Sequence, residues 1–152
     1  MKIFLIFLVA AIASATSFII HVISAQWLPS WIGSQMQGIL IQPSWDVRYI
    51  AGATSIEYGF AAVALYFLAR DKLAKVGRFK SSIIFSILLA SIHGAFIRQP
   101  CMDFVVGNPI QVVLVQNGFK WLIWISMAFV VVYGYEWLLK LSAKQPRKKE
   151  ET

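Results

Sequence analysis

Four long apolar segments constrain this chain more than any other feature. They cover about residues 3–24, 49–69, 81–97 and 121–139. A helix needs roughly 20 apolar residues to cross a hydrocarbon layer about 30 Å thick. Because 59% of the residues are hydrophobic and only 14% are charged, one small water-soluble core cannot bury the apolar surface. We therefore expect an all-α integral membrane protein, a four-transmembrane-helix bundle that forms a single domain over residues 1–141, followed by a disordered tail over 142–152.

Basic residues are distributed unevenly around these segments. Of the 14 Lys and Arg residues, only Arg48, Arg98 and Lys120 fall on one side of the predicted bundle, and the other eleven fall on the opposite side. Basic loops remain cytoplasmic, so we expect both termini and the second loop inside, in the inner membrane of a bacterium. This topology accounts for the net charge of +7 without a nucleic-acid partner, and it brings the basic clusters next to membrane lipids.

The first apolar segment also resembles a signal peptide. Lys2 precedes it, and Ala13-Ser14-Ala15 has the small residues of a cleavage site. The apolar run continues past this point to Ile23, which favours an uncleaved first span. We expect this segment to stay in the membrane.

The outer side of the bundle is expected to carry two short helices, interfacial or re-entrant. The first follows the first span, where Trp27, Trp31 and Met36 recur on one helical face before Pro43. The second is expected over residues 109–117. A single helix from 109 to 141 would measure about 50 Å, so we expect a break at Asn117-Gly118. The last span would then run between Lys120 and Lys140.

Three ionisable residues lie within the predicted spans, and small residues accompany each of them along one helical face. These residues are His21, Glu57 and His93. The small residues that share their faces are Ser14, Ser17 and Ser24 on the first span, Ala53, Ala61 and Ala64 on the second, and Ser82, Ser86, Ala90 and Gly94 on the third. Small residues allow helices to approach closely in lipid, so all three ionisable side chains are expected to point inward in the outer half of the bundle. Together they predict a polar ligand-binding pocket, and Arg48, Arg98 and Lys120 would surround its mouth.

Several functions are compatible with such a pocket. It could be a structural hydrogen-bond network, or it could bind a small polar ligand, an ion or a proton. His21 and His93 at equal depth could bind a b-type haem, and together with Glu57 they could hold a divalent metal ion. A small transporter, or an enzyme acting on a lipid or a small polar ligand, would use Glu57 with one of the histidines.

The remaining acidic residues are expected to form ordinary ion pairs. Glu136 is predicted to pair with Lys140 one turn away. Asp46 and Asp103 are expected to form loop salt bridges with Arg48 and Arg98, or to recognise a partner outside the membrane.

The lone Cys101 excludes a disulfide or a multi-cysteine site within this chain, and with it the chemistry of disulfide-generating membrane enzymes. The favoured interpretation is a non-enzymatic binding or assembly subunit that acts through its outer face. Its partner would be another membrane protein or a second copy. The alternative is a haem- or metal-binding redox subunit.

Overall fold

A computed structural model describes residues 2–36, 47–105 and 107–144. Over these residues every regular element is a helix and none is a strand, which confirms the all-α class. The elements are α1 (Lys2–Ala25), α2 (Leu28–Gln35), α3 (Val47–Leu73), a 3₁₀ turn (Ala74–Val76), α4 (Arg78–Ile92), α5 (Arg98–Val105) and α6 (Ile110–Lys144).

Two of the described helices are long and apolar enough to cross a membrane, over Ile3–Ala25 in α1 and Ile110–Ala143 in α6. α3 has 27 residues and is not one of these two helices. α4 has 15 residues, or about 22 Å of helix, which is shorter than a hydrocarbon core. The four-span bundle therefore remains a prediction.

α4 ends earlier than the predicted third span because a glycine turn closes it. Gly94 has a φ of +74°, a conformation that favours glycine. The Gly94 N–H donates to the Ser91 carbonyl (2.9 Å) and the Ala95 N–H donates to the Ala90 carbonyl (2.8 Å). These two bonds form a Schellman motif, which satisfies the last carbonyls of the helix. The chain then turns into α5.

The predicted break at Asn117-Gly118 is wrong, because α6 is continuous over 35 residues, or about 52 Å. Gly118 is not among the described glycines with positive φ. The Asn117 side chain donates to the Val113 carbonyl one turn back (2.8 Å), so it is satisfied within the helix. The separate helix over 109–117 is therefore the first part of α6. α5 is the second short helix.

α1 packs closely against both α3 and α6, and a glycine in each of these helices makes the approach possible. A Cβ on Gly59 of α3 would overlap Ser14 Oγ and the Ala10 carbonyl oxygen, and a Cβ on Gly134 of α6 would come within 3.1 Å of Val9. Helices in lipid associate through such close backbone contacts. Most of the small residues predicted to line one face of α1 and one face of α4 are buried, although His93 on the same predicted face of α4 is exposed. The buried small residues are Ser14, Ser17 and Ser24 on α1, and Ser82, Ser86 and Ala90 on α4.

The predicted buried face of α3 is wrong. Ala61 and Ala64 are exposed, whereas Ala62, Val63 and Tyr66 are buried. At 100° per residue, the buried face thus lies on nearly the opposite side of the helix from the predicted one. Gly59 and Tyr66 decide this orientation, since the first allows close contact with α1 and the second fills the space between α3 and its neighbours. Ala53, the fourth residue of the predicted face, lies outside the residues whose side chains are described.

The Trp-rich helix that the sequence predicts after the first span is present in its first part. This part is α2, and the Trp27 ring contacts the rings of Trp31 and Phe119, with centroids 6.3 and 5.6 Å apart. α2 is thereby attached to α6. Residues 37–46, which include Pro43 and Asp46, and the tail beyond residue 144 lie outside the described part of the chain.

Candidate functional site

The residues of the predicted polar pocket differ in their burial. His21 is half-buried on α1, whereas Glu57 and His93 are exposed. Glu57 faces outward because the buried face of α3 is rotated from the predicted one. Among the residues around the predicted mouth, Arg98 is exposed and Lys120 is half-buried. Arg48 lies in α3, but its side chain is outside the described set.

Among the described residues, no three His, Cys, Asp or Glu side chains come close enough together to hold a metal ion. His21, Glu57 and His93 are all described, so these three residues do not form the predicted three-ligand site. Haem ligation needs only the two histidines and remains a prediction.

His93 belongs instead to an aromatic cluster that joins three helices. Its ring centroid lies 5.5 Å from that of Tyr58 on α3 and 4.9 Å from that of Trp124 on α6. The Tyr58 and Trp124 centroids are 5.5 Å apart. Such edge and tilted ring contacts stabilise packing beyond the burial of area. The α3 partner of His93 is therefore Tyr58, the residue next to the predicted Glu57.

A second cluster surrounds Asp103 on α5, whose carboxylate is buried rather than exposed in a loop. Gln99 Nε2 and Asn117 Nδ2 donate to its two oxygens at 3.0 and 2.8 Å. Lys120 Nζ lies 3.9 Å from Asp103 Oδ2 and 3.5 Å from Asn117 Oδ1. The predicted Asp103–Arg98 pair is thus replaced by contacts to Asn117 and Lys120 of α6. These contacts fix α5 against α6.

Trp121 holds the turn between α4 and α5 in place. Its indole Nε1–H donates to the Ala95 carbonyl oxygen at 2.7 Å. This carbonyl belongs to the turn that follows α4, so the bond ties the end of α4 to α6. The sequence did not predict this hydrogen bond.

Glu136 forms the third cluster, and its predicted pairing with Lys140 is wrong. Arg70 on α3 contacts the Glu136 carboxylate with two nitrogens, Nε at 2.7 Å and a terminal nitrogen at 3.2 Å. The Tyr66 hydroxyl donates to the same carboxylate at 3.2 Å. The hydrogen bond to Glu136 raises the pKa of the Arg70 guanidinium above its ordinary value. A two-point Arg–carboxylate contact between helices is stronger than a single i, i+4 pair.

An open apolar groove of about 140 Å³ lies between α4 and α6, and we call it the α4–α6 groove. Its buried floor consists of Ser86, Ala90 and Trp124. The small side chains of Ser86 and Ala90 leave space that the neighbouring side chains do not fill. Four exposed apolar side chains form its rim, namely Ile87, Phe96, Trp121 and Ile125.

The hydrogen-bonded clusters around Asp103 and Glu136 join helices to one another. In the described part of the chain, every buried side-chain nitrogen and oxygen has a hydrogen-bond partner. A network that is satisfied internally stabilises one arrangement of helices. The sequence predicted no such role for Arg70, Tyr66 or Asn117. A signal for Asn117 was its polar amide within an otherwise apolar helix.

Comparisons of the chain with known protein families, with characterised proteins and with solved structures find no match.

Proposed function

We propose that this chain is a four-span membrane protein with both termini inside, and that it serves as a non-enzymatic assembly subunit. Its membrane placement is supported by how little of its apolar surface the chain itself covers. Only 28% of the apolar window of α1 and 39% of that of α6 are buried. The core helix of a soluble protein would be mostly buried, so lipid is the natural cover for these helices.

The observation that carries the assembly role is the position of Glu57. It lies on the exposed face of α3, next to Ile56 and Phe60, which are 56% and 40% exposed. An ionised carboxylate near the bilayer centre costs about 2.5–3.5 kcal/mol on insertion scales. Ionisable residues within spans almost always face protein or a water-filled cavity. A second membrane protein against this face of α3 would bury the apolar neighbours and pair with the carboxylate.

Site-specific photo-crosslinking tests this proposal. A photoreactive amino acid at Ile56 or Phe60 should give a discrete adduct larger than the 17.1 kDa chain in native membranes. Glu57→Ala should abolish the adduct, because the partner loses its polar contact. A product of twice the chain mass would identify the partner as a second copy.

The control is the same amino acid at Ile19, an exposed apolar position on α1. Crosslinks from Ile19 should reach lipid and give no discrete protein product. The proposal fails if Ile56 and Phe60 also reach lipid alone, or if Ile19 gives the same protein adduct.

A further inference from the structure

We propose that the α4–α6 groove binds one acyl chain of an anionic phospholipid, with the headgroup phosphate held by Arg98. This inference rests on the membrane placement in the proposed function, but not on the assembly role. The groove lies between α4 and α6, whereas the proposed partner contacts the exposed face of α3.

The lining of the groove favours hydrocarbon. Its floor is formed by Ser86, Ala90 and Trp124, and the Ser86 hydroxyl is occupied by its bond to the Ser82 carbonyl (2.6 Å). An unfilled space against such a floor loses van der Waals contacts on one side. A flexible acyl chain from the surrounding bilayer can restore these contacts.

Charge at one end of the groove selects the headgroup. The groove extends from Ser86 and Ile125 to Phe96 and Trp121. Arg98 follows Phe96 by two residues, is exposed, and lays its aliphatic stem over Gly94 at the turn that ends α4. Lys120 precedes Trp121 and is partly neutralised by Asp103, which leaves Arg98 as the principal cation among the described side chains at this end of the groove.

None of the residues that line the groove is an acidic or basic residue. Between Ser86 and Phe96 the sequence contains one titratable residue, His93, and between Trp121 and Ile125 it contains none. An apolar groove with a cation at one end matches a phospholipid, in which an apolar tail ends in a charged phosphate. Arginine binds phosphate through several parallel N–H donors.

Lipid preference provides the test. The full-length protein in detergent is titrated with phosphatidylglycerol or phosphatidylcholine of identical acyl chains, and bound lipid is counted by native mass spectrometry. We expect one phosphatidylglycerol to bind with higher affinity than phosphatidylcholine. Arg98→Gln should reduce that preference about five-fold, as expected for one cation beside an anionic headgroup. Lys80→Gln, which removes an exposed cation near the opposite end of α4, should leave it unchanged.

A second pair of variants tests the groove itself. Ile87→Trp places a large ring at the rim and should lower the binding of both lipids, because the acyl chain loses its space. Ile83→Trp makes the same change one turn away at a residue that is also exposed but does not line the groove. Both residues are on the surface, so neither variant disturbs the core.

Three results would overturn the inference. The first is equal affinity for the two lipids, and the second is lipid binding that neither Arg98→Gln nor Ile87→Trp changes. The third is a dimer that Ile87→Trp converts to a monomer. The last would show that a second copy covers the groove. The crosslinking result from Ile56 and Phe60 is independent of all three, so failure of the lipid site and failure of the assembly role are distinguishable.

Discussion

Glu136 accepts hydrogen bonds from Arg70 and Tyr66 across the contact between α3 and α6. The two charged side chains are 31% and 14% exposed, for Arg70 and Glu136 respectively, so the ion pair is neither on the surface nor fully enclosed. The Tyr66 ring beneath it is completely buried and contacts Phe85 and Tyr135, with centroids 5.4 and 5.5 Å apart. Loss of the carboxylate therefore leaves two donors facing a dry aromatic surface.

We predict that Glu136→Ala lowers the free energy of unfolding by about 1–3 kcal/mol, between the effects known for exposed and for buried ion pairs. The double variant Arg70→Met with Glu136→Leu should be less destabilised than Glu136→Ala alone, because no unpaired cation remains. Thermal unfolding in detergent measures both. Asp71→Asn is the control, since Asp71 lies 3.8 Å from the Arg70 guanidinium but is 95% exposed, and exposed ion pairs contribute little. Equal unfolding temperatures for wild type and Glu136→Ala would contradict the prediction.

Two glycines make a matched pair of residues with opposite expected effects. At Gly59 a methyl group would overlap Ser14 and the backbone of Ala10, whereas at Gly118 it would meet nothing within 4 Å. Gly59→Ala should force α1 away from α3 and lower the unfolding temperature. Gly118→Ala should raise it, because alanine is favoured over glycine within a helix by up to about 1 kcal/mol. A destabilising Gly118→Ala would argue that α6 bends at this residue.

At the scale of elements, α5 depends on one buried carboxylate. Asp103 is the buried side chain of α5 and contacts α6, whereas Met102, Phe104 and Val105 are exposed. We predict that Asp103→Ala releases α5 from α6, so that the amides of residues 98–105 exchange with solvent faster while those of α6 keep their protection. Hydrogen–deuterium exchange measures this difference. Met102→Ala alters an exposed residue of the same helix and should leave the exchange of α5 unchanged. Unaltered α5 exchange in Asp103→Ala would show that other contacts hold this helix.

Sequence pattern predicted the helices better than their faces and ends. The length of the apolar run was sufficient to predict α1, because a run this long rarely forms anything other than a helix. The sequence pattern predicted a wrong helix end at Asn117-Gly118, because that signal was purely local. The bond from Asn117 to Asp103, which holds this part of α6, is a tertiary contact. The pattern also misled on α3, where the alanines at 61 and 64 indicated one face and contact with α1 through Gly59 selected another.

The contacts of the polar residues were harder to predict than the helices, because they depend on how the helices are rotated and packed. His93 was recognised as unusual, but its neighbours Tyr58 and Trp124 belong to helices whose rotation the sequence does not reveal. Asp103 and Glu136 were assigned local partners, because sequence proximity suggests pairs within one turn or loop. Their actual partners are 14 and 66 residues away, respectively, at Asn117 and Arg70. Long-range pairs of this kind become visible only once the helices are packed.

For the whole molecule, the proposed four-span arrangement requires that α4 cross the membrane. The 15 residues of α4 measure about 22 Å, so a crossing must include part of the turn over 93–97 or a locally thinned bilayer. The bond from Trp121 to the Ala95 carbonyl satisfies a backbone acceptor in that turn, as membrane burial requires. The basic residues before α4 and their scarcity after it favour a crossing.

The accessibility of single cysteines on either side of α4 tests this topology. Cys101 is exposed on α5 and is the only cysteine in the chain. If α4 crosses, a membrane-impermeant maleimide should label Cys101 from outside intact cells. The variant with Cys101→Ser and Lys75→Cys places the thiol in the exposed turn before α4, and it should be labelled only after permeabilisation. Cys101→Ser alone gives the background. Equal labelling of both positions in intact cells would place the two ends of α4 on the same side, and the four-span arrangement would then be wrong.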